Sequence, residues 1–197
     1  MTTPNIRTRR LTLQPPFIHE HMDVQHYLNW LNNKYIMQYS ENRHVKHTEE
    51  TQYEYICSFD QENDYLWDII VTGIPIGSIS AHLDIPNRTA NIGVMIGNDN
   101  CWHQGFGLEA WNAACKWLFS QDTRKIEGGC MACNQGMIRI FEKAKFDLEA
   151  TIPGHFLLKG KPVDKVLYGK TQKAKVIHLT AGANHSSRVL GSAGDAA

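Results

Sequence analysis

The chain has 197 residues, with twenty basic side chains against twenty acidic ones and an isoelectric point near 7.1. That length suits one domain with a sizeable core, and the balanced charge leaves no electrostatic footprint for nucleic acid or an anionic membrane as a partner. No run approaches the ~20 apolar residues that span a bilayer, and no apolar core of signal-peptide length follows the start, so a soluble cytoplasmic protein is expected.

Leu11 and Leu13 flank Thr12 in a first strand that Pro15 and Pro16 close. Asp23 is placed to cap a helix carrying Tyr27, Leu28 and Leu31 on its apolar side. Residues 34–43 hold Tyr35, Ile36, Met37 and Tyr39 without a clean period, as an ordinary hydrophobic connector would. Thr48, followed by Glu49 and Glu50, starts a second helix expected to bury Tyr53, Ile56 and Cys57. Residues 66–71 read as a strand, Thr72 to Pro75 as a tight turn and residues 76–83 as the hairpin partner. A turn around Pro86 and Asn87 leads to a strand in which Ala90, Ile92, Val94 and Ile96 alternate, completing an antiparallel meander that ends at Gly97.

From Phe106 onward Phe106, Ala110, Ala113, Ala114, Trp117 and Leu118 fall on helical spacing, with Glu109, Asn112, Lys116 and Ser120 opposite, so a helix begins near Gly105. Residues 125–130 form a strand, and Asn134 begins a short helix through Met137, Ile138 and Phe141. Residues 146–150 and 163–168 alternate as two closing strands separated by His155 to Pro162. The order of strands, helix, strand, helix and strands predicts an α+β fold with a single mixed, mostly antiparallel central sheet flanked by helices over residues 1–170. From Thr171 to Ala197 the composition turns to Ala, Gly, Ser and His and reads as a loosely held tail.

Five cysteines, an odd number in apolar contexts, read as reduced and intracellular. Cys130-Met-Ala-Cys133 lacks a second ligand pair, and the ten histidines show no metal-binding spacing, so no metal is expected.

The stretch from Cys101 to Ala110 joins a strand to a helix start through a glycine turn. A helix start offers amides without intrahelical partners and the positive end of the macrodipole, which together suit a phosphate. Gly105 and Gly107 are expected to let that backbone come close to a ligand. The third glycine of a dinucleotide fingerprint and the Gly-Lys-Ser/Thr of a Walker loop are both missing, and taken alone the turn is equally a plain tight turn.

Three separated strings, residues 89–97, residues 102–110, and Asn134 with residues 141–146, resemble the GNAT acetyltransferases in the right order. The likeness covers roughly residues 7–170 and is nearest the branch of ribosomal-protein N-terminal and nucleotide-linked amino-sugar acetyltransferases. It implies acetyl-CoA as cofactor, with the backbone of His103, Gln104, Gly105, Phe106, Gly107 and Leu108 cradling the pyrophosphate. It also implies that Met95 and Ile96 lie where the strand splays from its neighbour and pairs with the pantetheine arm, one of their amides polarising the carbonyl. Asn134 matches the asparagine that contacts that arm, the alternative reading being a plain helix N-cap.

The catalytic residues depart from the family. Many relatives carry a glutamate where this chain has Asn91, and an amide is no base. His82, on the neighbouring strand and of a type that takes a proton near neutral pH, is the candidate base, with Asp84 and Asp68 behind it. Phe141 and Met137 stand where relatives often have a tyrosine and a serine, Tyr168 is a conceivable substitute acid, and a thiolate also leaves without protonation. Lys145 replaces the glycine that usually precedes Phe146.

The resulting expectation is an N-acetyltransferase working by direct attack of a primary amine on the thioester. A small amine such as an amino sugar comes first and a protein N-terminus second, with homodimerisation open. A protein that holds acetyl-CoA without transfer, or a module that binds a partner through Tyr35 to Tyr39, are the alternatives.

Overall fold

The computed structural model describes residues 3–16 and 24–172. Eight strands form one sheet: β1 (Ile6–Arg7), β2 (Thr12–Gln14), β3 (Asp64–Val71), β4 (Ile74–Asp84), β5 (Thr89–Ile96), β6 (Lys125–Met131), β7 (Asp147–Leu158) and β8 (Lys161–Thr171). Their spatial order is β1-β2-β3-β4-β5-β6-β8-β7, and β5 with β6 is the parallel pair among otherwise antiparallel neighbours. Four helices join them: α1 (Gln25–Leu31), α2 (Glu49–Cys57), α3 (Phe106–Ser120) and α4 (Gln135–Lys143). The expected α+β fold with one mixed sheet is what forms.

Strand alternation splits the core in two. Trp67, Ile69, Ile79, Ala81, Ala90 and Ile92 meet α3 and α4 on one face, where Ala110, Trp111, Ala114, Leu118 and Phe141 are almost fully buried. Leu66 and Met95 meet Tyr27, Trp30 and Ile56 of α1 and α2 on the other. Trp111 joins the buried stripe of α3 that the spacing drew without it, and burying an aromatic of that size contributes about 1.5–3 kcal/mol.

Local chemistry sets the boundaries. Thr48 accepts from the Thr51 amide while the Thr51 hydroxyl accepts from the Thr48 amide, a capping box that fixes the start of α2. The buried positions of α2 are Gln52 and Ile56, whereas Tyr53 and Cys57 are exposed. The sequence offers two stripes spaced four apart, and the one carrying Gln52 is the one that packs. Thr72 and Gly73 both take positive φ, 49° and 81°, as a two-residue hairpin turn requires. Between β7 and β8 the expected break from His155 to Pro162 is instead continuous hairpin, closed by Lys159 and Gly160 at φ 52° and 75°. Pro153 is tolerated because β7 is the sheet edge. Lys145 sits left-handed at φ 62° after α4, with Phe146 N–H donating to Phe141 O at 2.9 Å and Lys145 N–H to Glu142 O at 3.1 Å. This is the helix end where glycine is at home, and Lys145 fills it under strain. The Asp23 cap and the tail beyond residue 172 lie outside the described residues.

Candidate active site

The site is organised by a gap in the sheet. β5 pairs with β6 only from Thr89 to Asn91 against Lys125 to Glu127, although β5 runs on to Ile96 and β6 to Met131. Gly128 stands at the vertex, where a Cβ would meet the Ile92 carbonyl at 3.0 Å and the rings of Trp111 and Phe141 at 3.1 and 3.2 Å. Beyond it the strands part, leaving backbone groups of β5 without ladder partners.

Antiparallel alternation identifies those groups. Gly97 N–H donates to Ile76 O at 2.9 Å, which makes Gly77 and Ile96 a non-hydrogen-bonded pair and turns Met95 toward β4. The backbone of Ile92, Val94 and Ile96 therefore faces the gap. The Ile96 carbonyl accepts from the Trp102 indole at 2.8 Å, so the Ile96 amide and both groups of Val94 are what the gap presents. The Met95 side chain packs on the α1 and α2 cluster, and Trp30 lies against Gly97, where a Cβ would overlap its ring.

The loop into α3 carries the second set of donors. His103 and Gly105 take positive φ, 61° and 82°, and no side chain caps the helix, so the Phe106, Gly107 and Leu108 amides lack intrahelical acceptors. A Cβ on Gly105 would meet nothing closer than Arg10 Nη2 at 3.4 Å; the residue is required by its φ and lies open. Gly107 is different from the sequence expectation. It is buried, and a Cβ there would meet Ile140 Cδ1 at 3.1 Å and Ile96 Cγ1 at 3.5 Å, so it allows α3 to pack on α4 and β5.

The loop is held from outside. Arg10 Nε donates to Glu109 Oε2 at 2.6 Å, its amide to Glu109 Oε1 at 3.0 Å, its Nη1 to Gln104 O at 2.9 Å, and its guanidinium stacks 4.5 Å over Phe106. Thr8 Oγ1 donates to Glu109 Oε1 at 2.6 Å, and Gln104 Nε2 to Asn100 O at 2.7 Å. Burial alone would push the Glu109 carboxyl up, but the Thr8 hydroxyl and Arg10 outweigh it and hold it below the usual range. At side-chain exposures of 36% and 19% such an ion pair contributes about 1 kcal/mol or less to stability. Sequence reasoning left Arg10 out, because nothing local links it to a glutamate ninety-nine positions away.

Asn134 begins α4 and is its N-cap, Oδ1 accepting from Met137 N–H at 3.1 Å, which leaves its Nδ2 donors. Phe141 is fully buried and stacks at 4.5 Å on Tyr168, itself 9% exposed, whose phenol is pushed up by burial and by Glu142 and Cys130. The fold thus brings the end of β5, the start of α3 and the start of α4 to one mouth.

His82 lies apart from that mouth. Its Nδ1 is 2.6 Å from Asp64 Oδ1, its ring is 5.4 Å from Phe59, and it pairs with Asn91 on the face under α1 and α2. Asn91 is five positions from Ile96, roughly 16 Å along a strand. A second polar group on the same face is level with the mouth: Asp68, Ser78 and Met95 are in register across three strands. Tyr27 donates to Asp68, and burial pushes the Tyr27 and Tyr55 phenols up while the Ser78 and Ser80 hydroxyls pull them the other way. Burial pushes the Asp68 carboxyl up to about 6 against the Tyr27 hydrogen bond. Asp84 is exposed at a turn, held by Asn87.

The α1–α2 connector closes over this face. Arg43 Nη2 donates to Leu157 O at 2.7 Å, and Glu41 pairs with Lys165 at 3.1 Å, tying the connector to the β7–β8 hairpin across the gap. Tyr35 is 5.2 Å from Trp102. Among the described residues no group of three His, Cys, Asp or Glu could hold a metal, all five cysteines are free, and no helix is long and apolar enough to cross a membrane.

A mixed sheet whose parallel pair parts beside an uncapped helix start defines a class of acyl-transferring enzymes that seat a thioester coenzyme between strands. The chain belongs to the GNAT acetyltransferases, the acetyltransferase (GNAT) domain matching residues 10–147. It is an acyltransferase whose acetyl donor is acetyl-CoA. Among solved structures it is similar to RimL, a ribosomal L7/L12 α-N-protein acetyltransferase in complex with coenzyme A, at 18% identity and TM-score 0.77, over 87% of this chain and 100% of that one. It is similar to the microcin C7 self-immunity acetyltransferase MccE in complex with acetyl-CoA and AMP, at 18% identity and TM-score 0.72, over 84% and 94%. It is also similar to a GNAT-family acetyltransferase from Bacillus anthracis, at 20% identity and TM-score 0.71, over 85% and 98%. These are likenesses of fold. No curated protein matches the chain.

Proposed function

We propose that the chain transfers acetyl from acetyl-CoA to a primary amine of a small molecule, such as an amino sugar, by direct attack in a ternary complex. The observation that carries this reading is the gap between β5 and β6 opening beside the uncapped start of α3. The backbone from His103 to Leu108 holds the pyrophosphate. The exposed groups of Val94 and Ile96 pair with the pantetheine arm, Met95 flanks it, and the Asn134 amide group donates to it. The Ile96 amide polarises the thioester carbonyl as negative charge develops there.

The acceptor enters from the α1 and α2 face. Carboxylates at Asp64, Asp68 and Glu127 favour a cationic amine there, and the connector tied to the β7–β8 hairpin narrows the approach, which favours a small acceptor. His82, oriented by Asp64, takes the amine proton through ordered water. Asp68 is a second acceptor, favoured by its register with Met95: a proton passes from the amine to the Tyr27 hydroxyl as Tyr27 gives its own to Asp68. The fold likeness to RimL supports a protein N-terminus as the second reading.

The test is thiol release from acetyl-CoA with a panel of amino sugars, polyamines and peptides with free N-termini. Turnover concentrated in the amino sugars is expected. Turnover confined to peptides would replace the small-amine reading, and none with any amine would return the chain to a coenzyme-holding role.

A further inference from the structure

The β1–β2 turn reaches over to the start of α3 and makes a set of contacts that the transfer chemistry leaves unused. Glu109 points a carboxylate to the outside of α3 one turn from the uncapped amides. A carboxylate so placed opposes a diphosphate arriving at those amides, because like charges a few ångströms apart repel. Arg10 covers it. Nε and the backbone amide of Arg10 both reach Glu109, while Nη1 takes the Gln104 carbonyl, so that this acceptor is held on the outer side of the loop. Nη2 is committed to neither and lies nearest the site a Gly105 Cβ would occupy, at 3.4 Å. Stacking over Phe106 fixes the plane of the fork.

We infer that Arg10 is a positioning residue for the coenzyme: it masks Glu109, holds the Gln104 carbonyl away from the phosphates, and presents Nη2 at the lip of the loop. The inference rests on the reading of residues 103–108 as the pyrophosphate cradle. It makes Arg10 matter for donors that carry phosphate and not for donors that lack it.

The experiment compares acetyl-CoA with acetyl-pantetheine, the same thioester without phosphates, in R10M, E109Q and the double variant. R10M is expected to weaken acetyl-CoA binding about tenfold by calorimetry, through KM with kcat at saturation unchanged, and to leave KM for acetyl-pantetheine as in wild type. Removing the unmasked carboxylate in R10M/E109Q is expected to recover part of the lost affinity. R10K, which keeps the charge and loses the fork, is expected to show the same donor-selective loss at smaller size, and carries the test if R10M does not fold. Equal losses for both donors, unchanged acetyl-CoA affinity, or a double variant no tighter than R10M would overturn the inference. A wild-type protein that binds neither donor would instead overturn the coenzyme reading on which it stands.

Discussion

The two halves of the cleft are built on opposite principles. On the proposed coenzyme side the groups on offer are backbone amides, at Val94, Ile96 and the start of α3, and side chains serve to hold them: Trp102 on the Ile96 carbonyl, Arg10 on the loop, Ile140 against Gly107. On the proposed acceptor side the backbone is paired and the groups on offer are side chains, Asp64 with His82 and Asp68 with Tyr27. A backbone site needs glycines, a strand end and a helix start at fixed spacing, so it leaves a pattern in the sequence. A side-chain site is assembled from residues far apart in the chain and leaves little.

The largest expected break on the coenzyme side is G105W. Its left-handed φ and its position at the open lip mean that a bulky side chain both strains the loop and fills the phosphate site, so acetyl-CoA affinity by calorimetry should fall about a hundredfold or more. The acceptor side should respond in rate and not in coenzyme binding. H82A is expected to lower kcat about a hundredfold with acetyl-CoA affinity unchanged, since removing a general base costs that much. If stopped-flow and steady-state rates place that loss in D68N and leave H82A near wild type, the route through Tyr27 to Asp68 is the one used.

Asp68 also makes the comparison measurable without substrate. Its folded-state pKa of about 6 lies above the 3.8 of an exposed aspartate, so between those values the folded state binds more protons than the unfolded one. Stability from this group is therefore greatest at low pH and is lost as pH rises through about 6. D68N imitates the protonated form and should be more stable than wild type at pH 7.5 by about 3 kcal/mol, the gap closing below pH 4. A denaturant midpoint that falls in D68N at pH 7.5 would mean that the Tyr27 hydrogen bond outweighs the desolvation of the charge. The smallest effect belongs to the frame. Relieving the left-handed strain at Lys145, K145G should raise stability by about 1 kcal/mol and leave kcat and KM alone.

What could be read from sequence follows the same division. The meander, the start of α3 at Gly105, the Asn134 cap and the single mixed sheet were legible because alternation, a glycine turn and a capping residue are local signals. The buried side of α2 was not, because Gln52 and Tyr53 begin equally spaced stripes and only the packing partner decides between them. The continuous β7–β8 hairpin was hidden by Pro153 and Pro162, which look like breaks until β7 is seen to be the edge strand. Gly107 was legible as a required glycine but not for its reason, the packing of Ile140. Arg10 and Glu109, and Asp68 with Tyr27, are pairs that only the fold makes neighbours.

For the chain to work as proposed, acetyl-CoA must lie along β5 and the start of α3. At 22.4 kDa the protein is within reach of amide-resolved NMR. Titration with acetyl-CoA should shift the amides of Val94, Ile96 and residues 103–108 first and most, with those of α2 and the β7 edge nearly still. Saturable shifts that leave residues 94–108 unmoved and gather elsewhere would contradict it.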